Sequence, residues 1–168
     1  MTVDVADGRA DGLGEGQRAT LVAEIHDLYD GKGDGDRLLA AFRAAALYVP
    51  LAEDEAMCSG ESDGVRWLYA FTSTTELERF ARARLGSGTD PGWESGRIRY
   101  WTVFGSRLLD VAVPAAVAEA RAPAGVAVDV GGVRTLLLPP LSGIVPDPVA
   151  VDLIDRTSES RDRSAEEA

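Results

Sequence analysis

VRWLYAFTSTTELERFARAR, residues 65–84, holds the clearest passage from strand to helix in the chain. Residues 66–72 are rich in aromatic side chains, which suit a pleated surface. Under a period of two, Trp67, Tyr69 and Phe71 share one face while Leu68 and Ala70 take the other. Both faces are apolar, so the strand is expected inside a sheet with cover on each side. Ser73 then serves as an N-cap, and Glu76 three residues later completes a capping box in which two backbone donors are satisfied reciprocally. Thr75 and Glu78 repeat the pattern two residues on. Leu77, Phe80, Ala81 and Arg84 follow helical spacing, and Gly86 with Gly88 ends the helix. The free N–H groups of such a turn can also hold an anion. Here no glycine lets a ligand approach the backbone, and Glu76 and Glu78 already put negative charge in the first turn, so ordinary capping is the expectation.

Working outward, Gln17 to Tyr29 carries a helical stripe of Leu21, Ile25 and Leu28, and a second helix over 36–46 turns Leu38, Leu39, Phe42 and Ala45 inward. Residues 46–51 (ALYVPL) read as extended, with Pro50 marking a strand end or edge. Residues 53–64 read as an acidic loop, and 86–96 as another. Ile98 to Phe104 is a further strand, followed by a short apolar helix over 107–112 that Pro114 ends or redirects, with a helical turn over 115–121. Residues 126–130 and 133–138 are two β-like runs about Gly131-Gly132, a hairpin signal. About five strands and three or four helices in irregular order predict an α+β fold: a single mixed, largely antiparallel sheet with helices packed on it. Residues 17–155 form the domain. Residues 1–16, rich in Asp and Gly, are expected to be a disordered acidic lead-in, and 156–168 a disordered tail.

The 168 residues carry a net charge of −11, with nine acids against three bases in residues 1–36. That balance disfavours nucleic acid and anionic membrane surfaces as partners. No run of about 20 apolar residues offers a membrane span. Cys58 is the lone cysteine, which fits a reducing compartment and a cytoplasmic location. Sixteen arginines against the single Lys32 read as compositional bias rather than as a site.

Catalytic chemistry finds few carriers. His26 is the only histidine, placed within the first helix, so neither a triad nor a zinc set assembles around it. Asp30 to Ala41 imitates a calcium loop through Asp30, Asp34, Gly35 and Asp36, yet Lys32 and Ala41 stand where ligands belong. Glu53, Asp54 and Glu55 lack an apolar wall to raise a pKa, and Cys58 lacks a basic neighbour in sequence. No phosphate-binding glycine motif is present. Catalytic residues, cofactors and metals are therefore none. What remains is a group of residue types common at binding hot spots: Trp93, Arg97, Arg99 and Trp101. On the 98–104 strand, Ile98, Tyr100 and Thr102 share one face, and Arg99, Trp101 and Val103 the other. One reading places the aromatics in the core with solvated arginines; the sharper one makes Trp93 and the arginine-bearing face a partner surface.

Three segments resemble the N-terminal domain of the enhanced serine sensitivity protein SseB family: RLLAAFRAAALYVPL (37–51), WLYAFTSTTELERFAR (67–82), and GSRLLDVAVP with PAGVAVDVGG and LLLPP (105–140). The resemblance spans about residues 37–148 and leaves the 17–29 helix outside. It implies a small bacterial, cytoplasmic α/β domain without assigned enzymatic activity, acting as an interaction module, and it supplies no catalytic residues. The expected function is a non-catalytic protein-interaction or regulatory domain that binds a protein partner or self-associates. The alternative is a small-molecule-binding domain or an unrecognised hydrolase, which requires a concave pocket with converging polar groups. Neutralisation of a basic partner, on net charge alone, is a third.

Overall fold

Helices and strands follow one another irregularly along the chain. The computed structural model describes residues 11–87 and 98–156, and within them the order is α1 (Asp11–Tyr29), α2 (Gly35–Ala44), β1 (Ala46–Pro50), β2 (Ser59–Ser62), β3 (Val65–Ala70), α3 (Thr74–Ser87) and β4 (Tyr100–Phe104). A continuous helical run comes next, made of α4 (Gly105–Arg107), a π-helical stretch (Leu108–Ala112) and α5 (Val113–Ala120). β5 (Ala124–Val128), β6 (Leu136–Leu138), a 3₁₀ turn (Asp147–Val149) and a helical segment over 151–156 complete the fold. It is α+β. No described helix is long and apolar enough to cross a membrane.

The strands make two sheets where one was expected. One has the order β2-β3-β5-β6 and the other pairs β1 with β4. The cause lies on one edge of β3, which β2 and β1 share in succession. Cys58 takes the Tyr69 N–H at 3.1 Å, and two residues later Phe71 exchanges both backbone bonds with Tyr48, at 2.8 and 3.0 Å. The chain between Pro50 and Cys58 loops out at the junction, so the ladder is interrupted, and the Tyr48–Phe71 bridge together with the Cys58 N–H bond to the Pro50 carbonyl at 2.9 Å ties the sheets. β3 and β5 run parallel, and the other pairs are antiparallel.

The two faces read from the 66–72 pattern enter two separate cores. Leu68 and Ala70 join Leu47, Val49, Val126 and Val128 beneath Leu21, Ile25, Phe42 and Leu109. Tyr69 and Phe71 join Tyr48, Tyr100 and Ala127 against Leu77, Phe80 and Ala81 of α3. Phe71 and Phe42 are fully buried, and each such side chain contributes about 1.5–3 kcal/mol from apolar transfer. α3 starts at Thr74, and Ser73 Oγ accepts the Glu76 N–H at 3.2 Å. The return half of the capping box is not made. Glu76 instead accepts from Arg79 at 2.7 and 2.9 Å, an ion pair that competes for its carboxylate.

Four further expectations are corrected by local chemistry. α1 begins at Asp11, so residues 11–16 are helical rather than part of a lead-in; residues 1–10 and 157–168 lie outside the described residues. The acidic 53–64 segment contains β2, a short edge strand that pairs with β3 although SGES has no apolar alternation. Pro114 does not stop its helix. The widened π turn over Leu108–Ala112 accommodates a ring with no N–H to give, and the helix continues to Ala120. β5 and β6 do form an antiparallel hairpin, but its connection spans residues 129–135 rather than two glycines.

α1 docks firmly on the domain. Leu21 and Ile25 are buried, Arg18 Nη1 donates to the Ala46 carbonyl, and the Tyr29 hydroxyl donates to the Thr135 carbonyl at 2.6 Å. Arg134 adds an ion pair to Asp30 at 3.6 Å.

Candidate functional site

Two of the four predicted partner-surface residues are described, Arg99 just before β4 and Trp101 within it, while Trp93 and Arg97 lie outside the described residues. The face split on this strand holds: Ile98 and Tyr100 belong to the α3-side core, whereas Val103 packs against the other. Tyr100 is buried, but Trp101 is 48% exposed. Arg99 is not a free cation. Its Nη1 pairs with Glu55 at 2.8 Å and its Nη2 donates to the Glu53 carbonyl at 3.0 Å, so it clasps the acidic loop. Asp54 in that loop accepts the Ala56 N–H at 3.1 Å.

Beside Trp101 the divergence of the two sheets leaves a groove of about 780 Å³, lined by Met57, Leu68, Val103, Val111, Ala112 and Ala115. Val111 is 54% exposed, and it stands on the π-helical stretch. Three arginines line the same groove. Arg84 lies over the rings of Phe80 and Tyr69 and donates to the Tyr69 hydroxyl. Arg66 pairs with Glu61 at 3.1 Å, yet its Nε is buried with no acceptor. Arg107 is exposed and has no described ion-pair partner. Cys58 is buried in the wall, and burial pushes its thiol up to about 11, only partly offset by the Arg84 charge. It is a thiol, not a thiolate, near neutrality.

A second cleft, of about 960 Å³, opens between α1 and the C-terminal ends of β3 and β5. Such ends of parallel strands are common ligand sites in α/β sheets. Here Asp129, in a left-handed conformation with φ 54°, reaches across to Thr72. Its Oδ1 accepts the Thr72 N–H at 2.9 Å and its Oδ2 accepts the Thr72 hydroxyl at 2.7 Å. Burial raises the Asp129 pKa above the ordinary carboxylate value, against the two Thr72 bonds that lower it. The pair closes on itself and laces β3 to β5. Arg18 and Tyr48 also line this cleft, with Ser73, Thr74 and Arg134.

His26 is exposed on α1 at the rim of the second cleft. The calcium-loop look-alike resolves into ordinary roles, Asp34 capping α2 through the Arg37 N–H at 2.9 Å and Asp30 pairing with Arg134. Among the described residues no three His, Cys, Asp or Glu side chains converge as a metal site. Sequence reading missed Arg18, Asp129 and Thr72 as cleft residues. The available signal was an aspartate closing an apolar run (VAVD, 126–129) and a threonine closing another (YAFT, 69–72).

No family model matches the chain, and no curated protein or solved structure is significantly similar to it.

Proposed function

We propose that the chain is a non-catalytic, cytoplasmic protein-interaction or regulatory domain whose groove beside Trp101 takes one short segment of a partner protein, an apolar side chain flanked by a carboxylate. The observation that carries this reading is Trp101, 48% exposed at the mouth of a groove walled by Met57, Val103 and Val111. A large, rigid aromatic at the edge of an apolar concavity is what binding hot spots are made of. Of the acids lining the groove, Asp54 is bonded to the Ala56 N–H and Glu55 is paired with Arg99, while Glu119 is exposed. A carboxylate is supported by Arg107, which has no described acidic partner, and by the buried Nε of Arg66, which lacks an acceptor. The non-catalytic part of the proposal rests on how the polar groups are spent, with Asp129 committed to Thr72 and Cys58 held as a thiol. The SseB-like segments at 37–51, 67–82 and 105–140 supply β1, β3, α3 and the groove-lining helix, and the interaction module implied by that resemblance agrees with this use.

Selection of a displayed peptide library against the full chain tests the proposal. Enriched peptides should pair an apolar residue with Asp or Glu. Their affinity should drop by about thirtyfold in Trp101→Ala, as for a hot-spot aromatic, and several-fold in Arg107→Glu. No enrichment, or binding indifferent to Trp101→Ala, overturns it.

A further inference from the structure

Arg18 is a buried cation with no counter-ion among the described residues. It is 8% exposed, its Nη1 donates to the Ala46 carbonyl at 3.1 Å, and its guanidinium lies 4.9 Å from the centre of the Tyr48 ring. No described carboxylate lies within ion-pair distance of it. A buried charge left in that state is costly unless something of opposite sign reaches it. Tyr48 beneath it is 9% exposed, and its hydroxyl has no described hydrogen-bond partner. Both side chains line the cleft under α1, as do Ser73 and Thr74 at the first turn of α3.

We propose that this cleft is a binding site for a small organic monocarboxylate, its carboxylate paired with Arg18 and hydrogen-bonded by the Tyr48 hydroxyl. The charge count selects a monoanion. Of the other cations nearby, Arg79 is held by Glu76 and Arg134 by Asp30, which leaves Arg18 as the guanidinium without a described carboxylate partner. Glu15, Glu76 and Asp129 on the walls repel a second negative charge, so a phosphate dianion fits poorly. The volume of about 960 Å³ admits a metabolite-sized molecule, with its apolar part against Ala19 and Val22 of α1. This site is separate from the groove beside Trp101, and either can fail without the other.

An amide NMR titration of the full chain with acetate, hexanoate, benzoate and inorganic phosphate, at constant ionic strength, tests the proposal. At least one carboxylate should shift the amides of Arg18 and residues 72–76 saturably, with a Kd of about 1 mM or tighter, and at least about tenfold more tightly than phosphate. Arg18→Gln should weaken that binding about tenfold or more, and Tyr48→Phe about threefold or more with an unchanged melting temperature. Absence of saturation by every carboxylate, preference for phosphate, or a Kd unaltered in Tyr48→Phe overturns the site. The tyrosine variant decides the matter if Arg18→Gln fails to fold.

Discussion

The cleft under α1 and the groove beside Trp101 are of similar size, about 960 and 780 Å³, and both mix polar with apolar walls, yet different residues organise them. The first lies where two parallel strands end, and buried polar groups organise it: a guanidinium, a phenol, and a carboxylate locked to a threonine. The second lies where the two sheets part, and there methionine, valine and alanine stand among charged side chains with a half-exposed tryptophan at the mouth. Fixed donors converging in a cleft select a small ligand by charge and geometry. An apolar trough with an aromatic lip and arginines around it selects a polypeptide by desolvation. The parallel pair within the larger sheet and the break between the two sheets thus generate different concavities, one for each proposed recognition surface.

The largest expected effect breaks both at once. Gly105 joins β4 to the helical run that forms one wall of the groove, and its N–H donates to the Ala45 carbonyl at 2.9 Å. A Cβ at this position would fall onto the Phe42 carbonyl, a backbone atom that cannot swing aside. Gly105→Ala should therefore cost about 3 kcal/mol or more, as overpacking against fixed backbone does. A urea melt measures it. A loss under about 1 kcal/mol would mean that α2 and the helical run slide apart freely, and the two regions would not share a rigid frame.

Asp129 separates the regions instead. Asp129→Ala leaves the Thr72 N–H and hydroxyl without their acceptor, and Thr72 is 6% exposed, so about 2–3 kcal/mol should be lost. Asparagine tolerates the left-handed backbone and still accepts from the Thr72 N–H, so Asp129→Asn should cost less. The pH dependence carries its own signature. Because the folded carboxyl titrates above its ordinary value of 3.8, the native state holds the proton longer than the unfolded chain does. Its contribution is fully present below pH 3.8 and is lost as pH rises through the raised folded value. The stability difference between wild type and Asp129→Asn, followed from about pH 3 to pH 8, should therefore move against wild type as pH rises. The opposite slope would show that the Thr72 bonds outweigh burial. Peptide binding in the groove should be unaffected by either variant.

What was legible in the sequence follows from how local each signal is. The alternation of Trp67, Leu68, Tyr69, Ala70 and Phe71 assigned both cores correctly, because a central strand writes its two faces into adjacent residues. Ser73 located the start of α3 for the same reason. The misses are non-local. Arg18 meets Ala46 across 28 residues and Asp129 meets Thr72 across 57, so no pattern within a window links them. β2 was hidden because an edge strand with both faces partly exposed needs no apolar alternation. The π turn at Leu108–Ala112 replaced the expected break because the packing of Leu108, Leu109 and Val113 in the core outweighs one missing hydrogen bond. The split into two sheets depends on where the loop after Pro50 bulges, which composition does not encode.

The smallest effect is the sharpest test of the groove. Arg99, just before β4, and Trp101 within it are predicted from the sequence to share one surface, yet their surroundings differ. The Arg99–Glu55 pair is exposed on both sides, with side-chain exposures of 53% and 67%, and pairs of that kind contribute about 0–1 kcal/mol. The bond to the Glu53 carbonyl adds a second tie to a loop whose residues Asp54 and Glu55 line the groove. Arg99→Ala should thus cost under about 1 kcal/mol in a thermal melt at low salt and less in high salt, where exposed pairs are screened. Its effect on peptide binding should stay within about threefold, against about thirtyfold for Trp101→Ala. A loss rivalling that of Trp101→Ala, at unchanged stability, would make Arg99 the residue that positions the loop as a wall of the groove. The acidic loop would then belong to the recognition surface rather than to its surroundings.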